Sequence, residues 1–181
     1  MNKAHVIHRL HTRGDGEVFA PLGEPTVDIG IDEKTRNEST DVLRKLLADE
    51  YVLYTKTRNY HWNVTGPQFA ETHRFFEESY EELNGIVDEV AERIRSIGRP
   101  SPGSLAEFLH DTRIKEACGE LAEADKMLHS LRDGHESIVR NLRLDALACH
   151  KRGDVGTGDF LTRLLERHER AAWMLRSHLC E

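Results

Sequence analysis

Cysteine and proline are scarce in this sequence, and long hydrophobic runs are missing. Only three cysteines occur in 181 residues, Cys118, Cys149 and Cys180, and no two of them stand at CxxC spacing. This pattern argues against a disulfide framework and a thiolate metal site, and it favours a reducing compartment. No apolar run approaches the roughly 20 residues that span a membrane, and the first residues contain no apolar signal segment. We therefore expect a cytoplasmic protein that does not contact membranes.

Positive charge is also in the minority. The formal net charge is −7 at pH 7, from 25 basic and 32 acidic residues. A protein of this charge does not offer nucleic acid a chain-wide binding surface, but it attracts cations. The length suits one domain, and the composition, 38% hydrophobic and 31% charged, is ordinary for a helical globular protein.

The chain divides into an amino-terminal arm and a helical domain. Residues 1–38 contain several glycines and prolines and show little helical periodicity, so we expect an extended or disordered arm. Residues 39–181 are expected to form the domain. Its first helix should begin at Ser39-Thr40-Asp41, which offers N-cap side chains, and end near Asn63 before the turn Thr65-Gly66-Pro67.

Three further long helices follow. The second repeats apolar and aromatic residues at spacings of four and three up to Gly98, and the third, from about Ile114 to Ala148, has the same spacing. Residues 153–158 interrupt the chain before the last helix. The long connection between the second and third helices contains a short amphipathic helix from Ser104 to about His110. The fold class is therefore all-α, a four-helix bundle whose single long crossover is the ferritin-like topology.

Two histidines flank the first turn at equal distances. His61 on the first helix and His73 on the second are centred on residue 67, so their rings should lie at one level of an antiparallel hairpin. The same side of the second helix carries the carboxylates Glu77, Glu81, Asp88 and Glu92. The like charges at Asp88 and Glu92, four residues apart, repel one another unless a cation lies between them. Carboxylates together with imidazoles suit iron, manganese or zinc.

One chain cannot bring these ligands to one metal ion. Asp88 and Glu92 lie 15 and 19 residues beyond His73, which is roughly 22 and 28 Å along a straight helix. A second copy, related by a two-fold axis with its helix antiparallel, can supply them to the histidines of the first copy. The sequence thus predicts a metal site that belongs to a dimer.

Between about residues 40 and 178 the chain resembles the Dps-type miniferritins. The resemblance rests on Tyr60-His61-Trp62-Asn63-Val64-Thr65-Gly66-Pro67, then Phe69, His73, Phe76-Glu77 and Asp88-Glu89-Val90-Ala91-Glu92-Arg93. It implies a shell of twelve subunits that stores iron and protects DNA from oxidative damage. Ferrous iron would be oxidised at the two-fold interfaces, preferentially by hydrogen peroxide or else by dioxygen, with zinc as an alternative occupant of the site.

The resemblance also assigns roles to individual residues. His61, His73, Asp88 and Glu92 occupy the ligand positions, and Glu77 stands where the family commonly has aspartate. Trp62 and Trp173 match aromatic residues that the family keeps near the site, either to intercept oxidising equivalents or to pack the interface.

Other residues are open to more than one interpretation. Asp159, within Thr157-Gly158-Asp159, and Asp154 are expected to line an iron-entry pore. His135 and His168 are centred on the last hairpin turn, so they should face one another, as a hydrogen-bonded pair or as an auxiliary metal site.

The main alternative function is DNA compaction with iron handling incidental. Residues 1–14 contain Lys3, Arg9 and Arg13 and no acid, so twelve such arms could bind DNA and associate with the nucleoid. The acidic residues that follow cancel this charge, and we expect weak DNA binding. A bundle with an intrachain di-iron centre is excluded, because the chain has one Glu-x-x-His spacing, Glu107 to His110, in the short helix. A shell without oxidase activity is a third alternative.

Overall fold

A computed structural model describes residues 27–117, 119 and 123–179 of the protein. Most of these residues belong to helices. In chain order they are α1 (Glu33–Asn63), α2 (Phe69–Ser96), α3 (Leu105–Asp111), α4 (Ala124–Lys151) and α5 (Val155–His178). The described residues include no strand. The all-α prediction is therefore confirmed, with four long helices and a short one in the crossover.

Contacts between helix ends define the topology. Tyr60, near the end of α1, donates a hydrogen bond of 3.1 Å to Ser130, near the start of α4. Arg93, near the end of α2, donates one of 3.3 Å to Asp154, which precedes α5. Short turns make α1–α2 and α4–α5 antiparallel hairpins, so α2 and α4 run in the same direction. The connection between them must cross the whole bundle, roughly 40 Å for a helix of the length of α2. This is the predicted ferritin-like crossover.

The core lies between the four long helices, where the apolar faces predicted from the spacing meet. Its fully buried side chains include Leu43, Leu46, Leu53, Phe76, Leu83, Ile94, Leu131, Ile138, Leu142, Leu161 and Leu164. Burying one such side chain contributes about 1.5–3 kcal/mol. Among the described residues, no helix is long and apolar enough to cross a membrane.

The helix α1 begins six residues before the predicted start at Ser39. Asp32 caps it, because its side chain accepts a hydrogen bond of 2.7 Å from the backbone N–H of Thr35. Arg99, just beyond α2, donates to Asn37 and to Glu33 and holds this first turn against the bundle. The predicted boundary at residue 38 therefore falls inside a helix. Residues 1–26 of the predicted arm lie outside the described residues.

The helix α4 begins at Ala124, ten residues after the predicted start at Ile114. Next to the predicted start, Asp49, a fully buried residue of α1, accepts hydrogen bonds from the backbone and the side chain of Arg113. Arg113 also bridges to Asp145 at 2.9 Å. These bonds hold the chain after α3 in an extended path against α1 and α4. Burial raises the pKa of Asp49, although Arg113 partly offsets the effect.

The turn between α4 and α5 is shorter than the predicted break at residues 153–158. Gly153 has a φ of +84° and donates to the carbonyl of His150, while Asp154 N–H bonds the carbonyl of Cys149, which is a Schellman ending. Asp154 then caps α5 by accepting from Thr157 N–H at 3.0 Å. Gly158 is inside α5, and a Cβ there would lie 2.7 Å from the ring of His150. Glycine here allows close packing and does not break the helix.

We expect the cap at Asp154 to contribute measurable, pH-dependent stability. Burial alone would raise its pKa, but hydrogen bonds from Thr157 and the nearby Arg93 guanidinium outweigh this and hold the pKa below its usual range. Asp154→Ala should lower the free energy of unfolding by about 1–2 kcal/mol at neutral pH. Because the folded pKa is depressed, this contribution is complete above the unfolded pKa and is lost as the pH falls through the folded one.

Denaturant unfolding at fixed protein concentration, at pH 7 and near pH 3, measures both effects. Asp154→Asn is the matched control, because asparagine also caps helices but carries no charge. It should flatten the acid-side dependence. An Asp154→Ala variant as stable as the parent at pH 7 would contradict the assigned role.

Candidate metal centre

The rings of His61 and His73 lie face to face where the first hairpin closes. Their centroids are 3.8 Å apart and their planes differ by 22°. His61 is in the last turn of α1 and is 8% exposed, whereas His73, one turn into α2, is half-buried. Tyr80 contacts the His61 ring edge-on at 5.2 Å, and Phe69 covers His73 at 5.0 Å. Aromatic packing therefore holds both rings in place.

Reciprocal hydrogen bonds determine which nitrogen of each ring is free. Nδ1 of His61 lies 2.9 Å from the backbone carbonyl oxygen of His73, and Nδ1 of His73 lies 2.8 Å from that of His61. A carbonyl oxygen only accepts, so each Nδ1 must carry the hydrogen. In the neutral rings Nε2 then holds a lone pair, which is the form that binds a metal ion. The two backbone carbonyls thus fix both imidazoles in a tautomer that can bind a metal ion.

The carboxylates predicted to complete the site are distributed along α2. Glu77 is half-buried and one turn beyond His73, whereas Asp88 and Glu92 are exposed farther along the helix. The helix is continuous from Phe69 to Ser96, so the predicted separation of about 22 and 28 Å from His73 stands. No group of three or more His, Cys, Asp or Glu side chains in the described part of the chain is placed to hold a metal ion.

Acidic residues of α2 differ in whether a basic residue neutralises them. Arg167 of α5 binds Glu82 at 3.2 Å and Glu89 at 2.8 Å. Asp88, next to Glu89 in the sequence, and Glu92, three residues after it, form no ion pair with any residue that the structure describes. Their charge is therefore available to a cation or to a second subunit.

Exposed aromatic side chains surround the histidine pair. Trp62 follows His61 and is 66% exposed, and Phe69 is 48% exposed. The Arg58 guanidinium lies 5.5 Å from the centre of the Trp62 ring and 5.3 Å from that of Tyr80. Trp173, on α5, is 56% exposed and makes no ring contact with the described aromatic residues near the histidine pair. Exposed apolar groups of this size are typical of a surface that another protein covers.

The two predicted pore carboxylates have different environments. Asp154 is 3% exposed and is engaged by Thr157 and Arg93. This favours a capping role over a place in a pore wall. Asp159 is exposed and lies 3.6 Å from Nε2 of His150. It remains the residue predicted to line a pore.

His135 and His168 meet in the interior of the bundle. Their Nδ1 atoms are 2.9 Å apart, and Nε2 of His168 lies 2.9 Å from a carboxylate oxygen of Glu50. All three residues are buried. Burial, followed by the neighbouring His168, holds the pKa of His135 well below its usual range, so this ring is neutral.

Sequence reasoning missed Glu50, although a signal was present. Leu43, Leu46 and Leu53 define the buried face of α1, and Glu50 is one turn after Leu46 on that face. A carboxylate at a core position requires a partner. His135 and His168, which were predicted to face one another, were the candidate partners of this carboxylate.

The chain matches a family model described as ferritin-like domain over residues 40–181. It is 39% identical over 140 residues to DNA protection during starvation protein 2 of Bacillus anthracis, covering 77% of this chain and 94% of the relative. The chain is a Dps-type member of the ferritin-like family. This family membership confirms the resemblance inferred from the hairpin and from α2.

Two further similarities extend the Dps-type assignment. An uncharacterized low temperature-induced protein of Nostoc sp. is 42% identical over 157 residues, which cover 86% of this chain and 87% of that protein. The crystal structure of a Dps protein from Vibrio cholerae O1, titled a member of a broad superfamily of ferritin-like diiron-carboxylate proteins, superposes with a TM-score of 0.80 at 32% identity, covering 85% of this chain and 96% of that one. The family match includes both histidine pairs and all of α2, whereas residues 1–39 lie outside it.

We expect the Nδ1 bonds of the first pair to stabilise the hairpin independently of any metal. His73→Asn places a short amide donor near the position of Nδ1 and should change the free energy of unfolding by less than about 0.5 kcal/mol. His73→Ala leaves the His61 carbonyl without its partner and should cost about 1–2 kcal/mol. Denaturant unfolding in chelator-treated protein measures the difference. Equal losses for the two variants would show that the hydrogen bond contributes nothing.

Proposed function

We propose that this protein assembles into a hollow shell and oxidises ferrous iron at sites shared between two subunits. The observation that carries the proposal is the pair of reciprocal Nδ1 bonds between His61 and His73. They leave two Nε2 lone pairs on one surface, and no third ligand from the described residues joins them to form a metal site. Two histidines that offer lone pairs but do not complete a metal site within one chain need further ligands from a second subunit.

Symmetry supplies the missing ligands. A two-fold axis that places a second α2 antiparallel to the first brings Asp88 and Glu92 of one subunit to His61 and His73 of the other, and the reverse. The exposed rings of Trp62 and Phe69, close to the histidines in the sequence, are apolar groups that such an interface would bury. Glu77 is half-buried, one turn beyond His73, and the proposal includes it as a further carboxylate ligand, although it does not form a metal site with the two rings within the single chain.

The chemistry of these ligands fits iron as a substrate. Neutral imidazoles and carboxylates bind ferrous iron, and the anionic groups favour the more highly charged ferric product. Two ferrous ions each give up one electron, and hydrogen peroxide accepts both and is reduced to water. Hydrolysis of the ferric ions releases protons and deposits mineral. Family membership supports iron storage and DNA protection in general, since removal of iron and peroxide prevents the formation of hydroxyl radicals.

Removing one ligand should abolish most of the oxidation without preventing assembly. Glu92→Gln is nearly isosteric, and we expect the initial rate of ferrous oxidation to fall at least about 10-fold. His61→Ala should reduce it as strongly from the opposite subunit. Particle mass by light scattering, expected near twelve subunits, establishes that both variants assemble. An active monomer would contradict the proposal.

A mixed particle tests whether the ligands are shared. Chains with His61→Ala are co-assembled with chains with Glu92→Gln. Each mixed interface then contains one site with all its ligands and one site that lacks both the histidine and the glutamate. Activity should rise above that of either variant alone. Glu81→Gln is the matched control, because it removes a charge from α2 at a position the proposal does not use. Mixed particles no more active than the single variants would place the ligands within one chain.

Entry of iron should depend on Asp159. Its exposed carboxylate lies near the start of α5, and a ring of such groups around a three-fold pore would concentrate cations. Asp159→Asn should slow iron uptake several-fold while leaving the metal affinity of the two-fold site unchanged. Stopped-flow uptake kinetics together with zinc titration separate the two effects, and unchanged uptake removes Asp159 from the path.

A further inference from the structure

A second group of potential ligands lies inside the bundle, away from the hairpin. Glu50 on α1, His135 on α4 and His168 on α5 meet where three helices pack together. Their exposed fractions are 0%, 5% and 1%. Ionisable groups are seldom buried so completely unless each has a partner. The proposed oxidation of iron between subunits uses none of them.

The group is incompletely satisfied as it stands. Neither oxygen of the Glu50 carboxylate has a hydrogen bond of acceptable geometry, and Nε2 of His168 has none either. Oε1 of Glu50 and Nε2 of His168 are nevertheless 2.9 Å apart, so their distance suits a hydrogen bond but the orientation of the His168 ring does not. A buried carboxylate without hydrogen bonds is costly, because it has lost its hydration without gaining partners. A small rotation of the His168 ring would remove this cost.

The two Nδ1 atoms have nearly the separation of two ligands on one metal ion. They share a hydrogen bond at 2.9 Å, which the ion would replace, whereas two nitrogens at about 2.0–2.1 Å from a tetrahedral ion stand roughly 3.3 Å from one another. Opening the pair by less than about 0.5 Å would admit the ion. The movement turns the His168 ring, whose Nε2–H can then point at Glu50, an arrangement in which a carboxylate orients a metal-bound histidine.

The histidine pair borders a cavity. A space of about 30 Å³ is lined by both rings, by Ser79 and by Ala171, and it has room for about one water molecule. A larger groove of about 150 Å³, lined by Glu78 and Glu82 of α2 and by Arg167 and Arg170 of α5, shares its lining with this cavity. The approach between α2 and α5 therefore carries two acidic and two basic side chains, and the cavity can hold water to complete the coordination of an ion.

We propose that His135 and His168 bind one divalent transition-metal ion of the zinc or cobalt class through their Nδ1 atoms, with Glu50 orienting His168 and water from the cavity as a further ligand. Only two protein groups contact the ion, in keeping with the finding that no three described ligand side chains are placed around one point. The site is within one subunit, and it does not depend on the proposed ferroxidase function.

Cobalt binding measured without the two-fold site tests the proposal. In a background with His61→Ala and Glu92→Gln, Co²⁺ should bind at one ion per subunit and give the visible absorption of a tetrahedral complex. Adding His135→Gln or His168→Gln should abolish this absorption. Adding Glu50→Gln should weaken binding by about 10–100-fold, because it removes only the orienting carboxylate. Adding His110→Gln, which changes an exposed histidine of α3, should have no effect.

Ala171→Leu in the same background extends the test without altering a ligand. The larger side chain fills the cavity, so Co²⁺ should bind more weakly or not at all while both histidines remain. This variant decides the question if the histidine variants fail to assemble, as judged by circular dichroism and particle mass. An assembled background that binds no Co²⁺, or binding unchanged by both histidine substitutions or by Ala171→Leu, overturns the proposal. Loss of iron oxidation in the parent protein does not bear on it.

Discussion

The rigidity of α2 is the constraint on which the candidate metal centre depends. A continuous helix from Phe69 to Ser96 separates His73 from Asp88 and Glu92 by a distance that no side-chain movement can close. The hairpin turn brings His61 to His73, but nothing within the chain brings the two carboxylates to them. The same geometry that prevents a complete site in a monomer would provide two equivalent sites in a symmetric dimer. In the proposed dimer, assembly and chemistry are linked through one helix.

Backbone carbonyls prepare the first histidine pair in a way that ligand identity alone does not reveal. His61 belongs to the last turn of α1, where carbonyl groups have no partner within the helix. His73 donates to that carbonyl and receives the reciprocal bond. One pair of hydrogen bonds thus satisfies a helix end, aligns two rings and leaves the Nε2 of each ring free of these bonds.

Buried charged groups recur where long-range connections are made. Asp49 binds Arg113 and holds the crossover, while Asp154 caps α5 and receives Arg93 from α2. In both cases, removing one partner would leave an uncompensated buried group, which makes these contacts specific to the observed topology. Glu50 differs, because its carboxylate oxygens have no hydrogen bond of acceptable geometry among the described residues. The contact between Glu50 and the pair His135 and His168 therefore differs from the two structural contacts of Asp49 and Asp154.

Local patterns in the sequence determined the helical class, the hairpin register and the paired position of His61 and His73, because helical periodicity and a tight turn act over short distances. The separation of the α2 carboxylates followed for the same reason. Long-range contacts decided the rest. The non-helical path after α3 depends on Arg113 reaching Asp49, and Asp154 receives a hydrogen bond from Arg93 of another helix. Glu50 could be recognised as a charge on an apolar face, but only the packing of α1 against α4 and α5 identified its neighbours. Tertiary structure decides such partners because residues far apart in the sequence meet only after the bundle has closed.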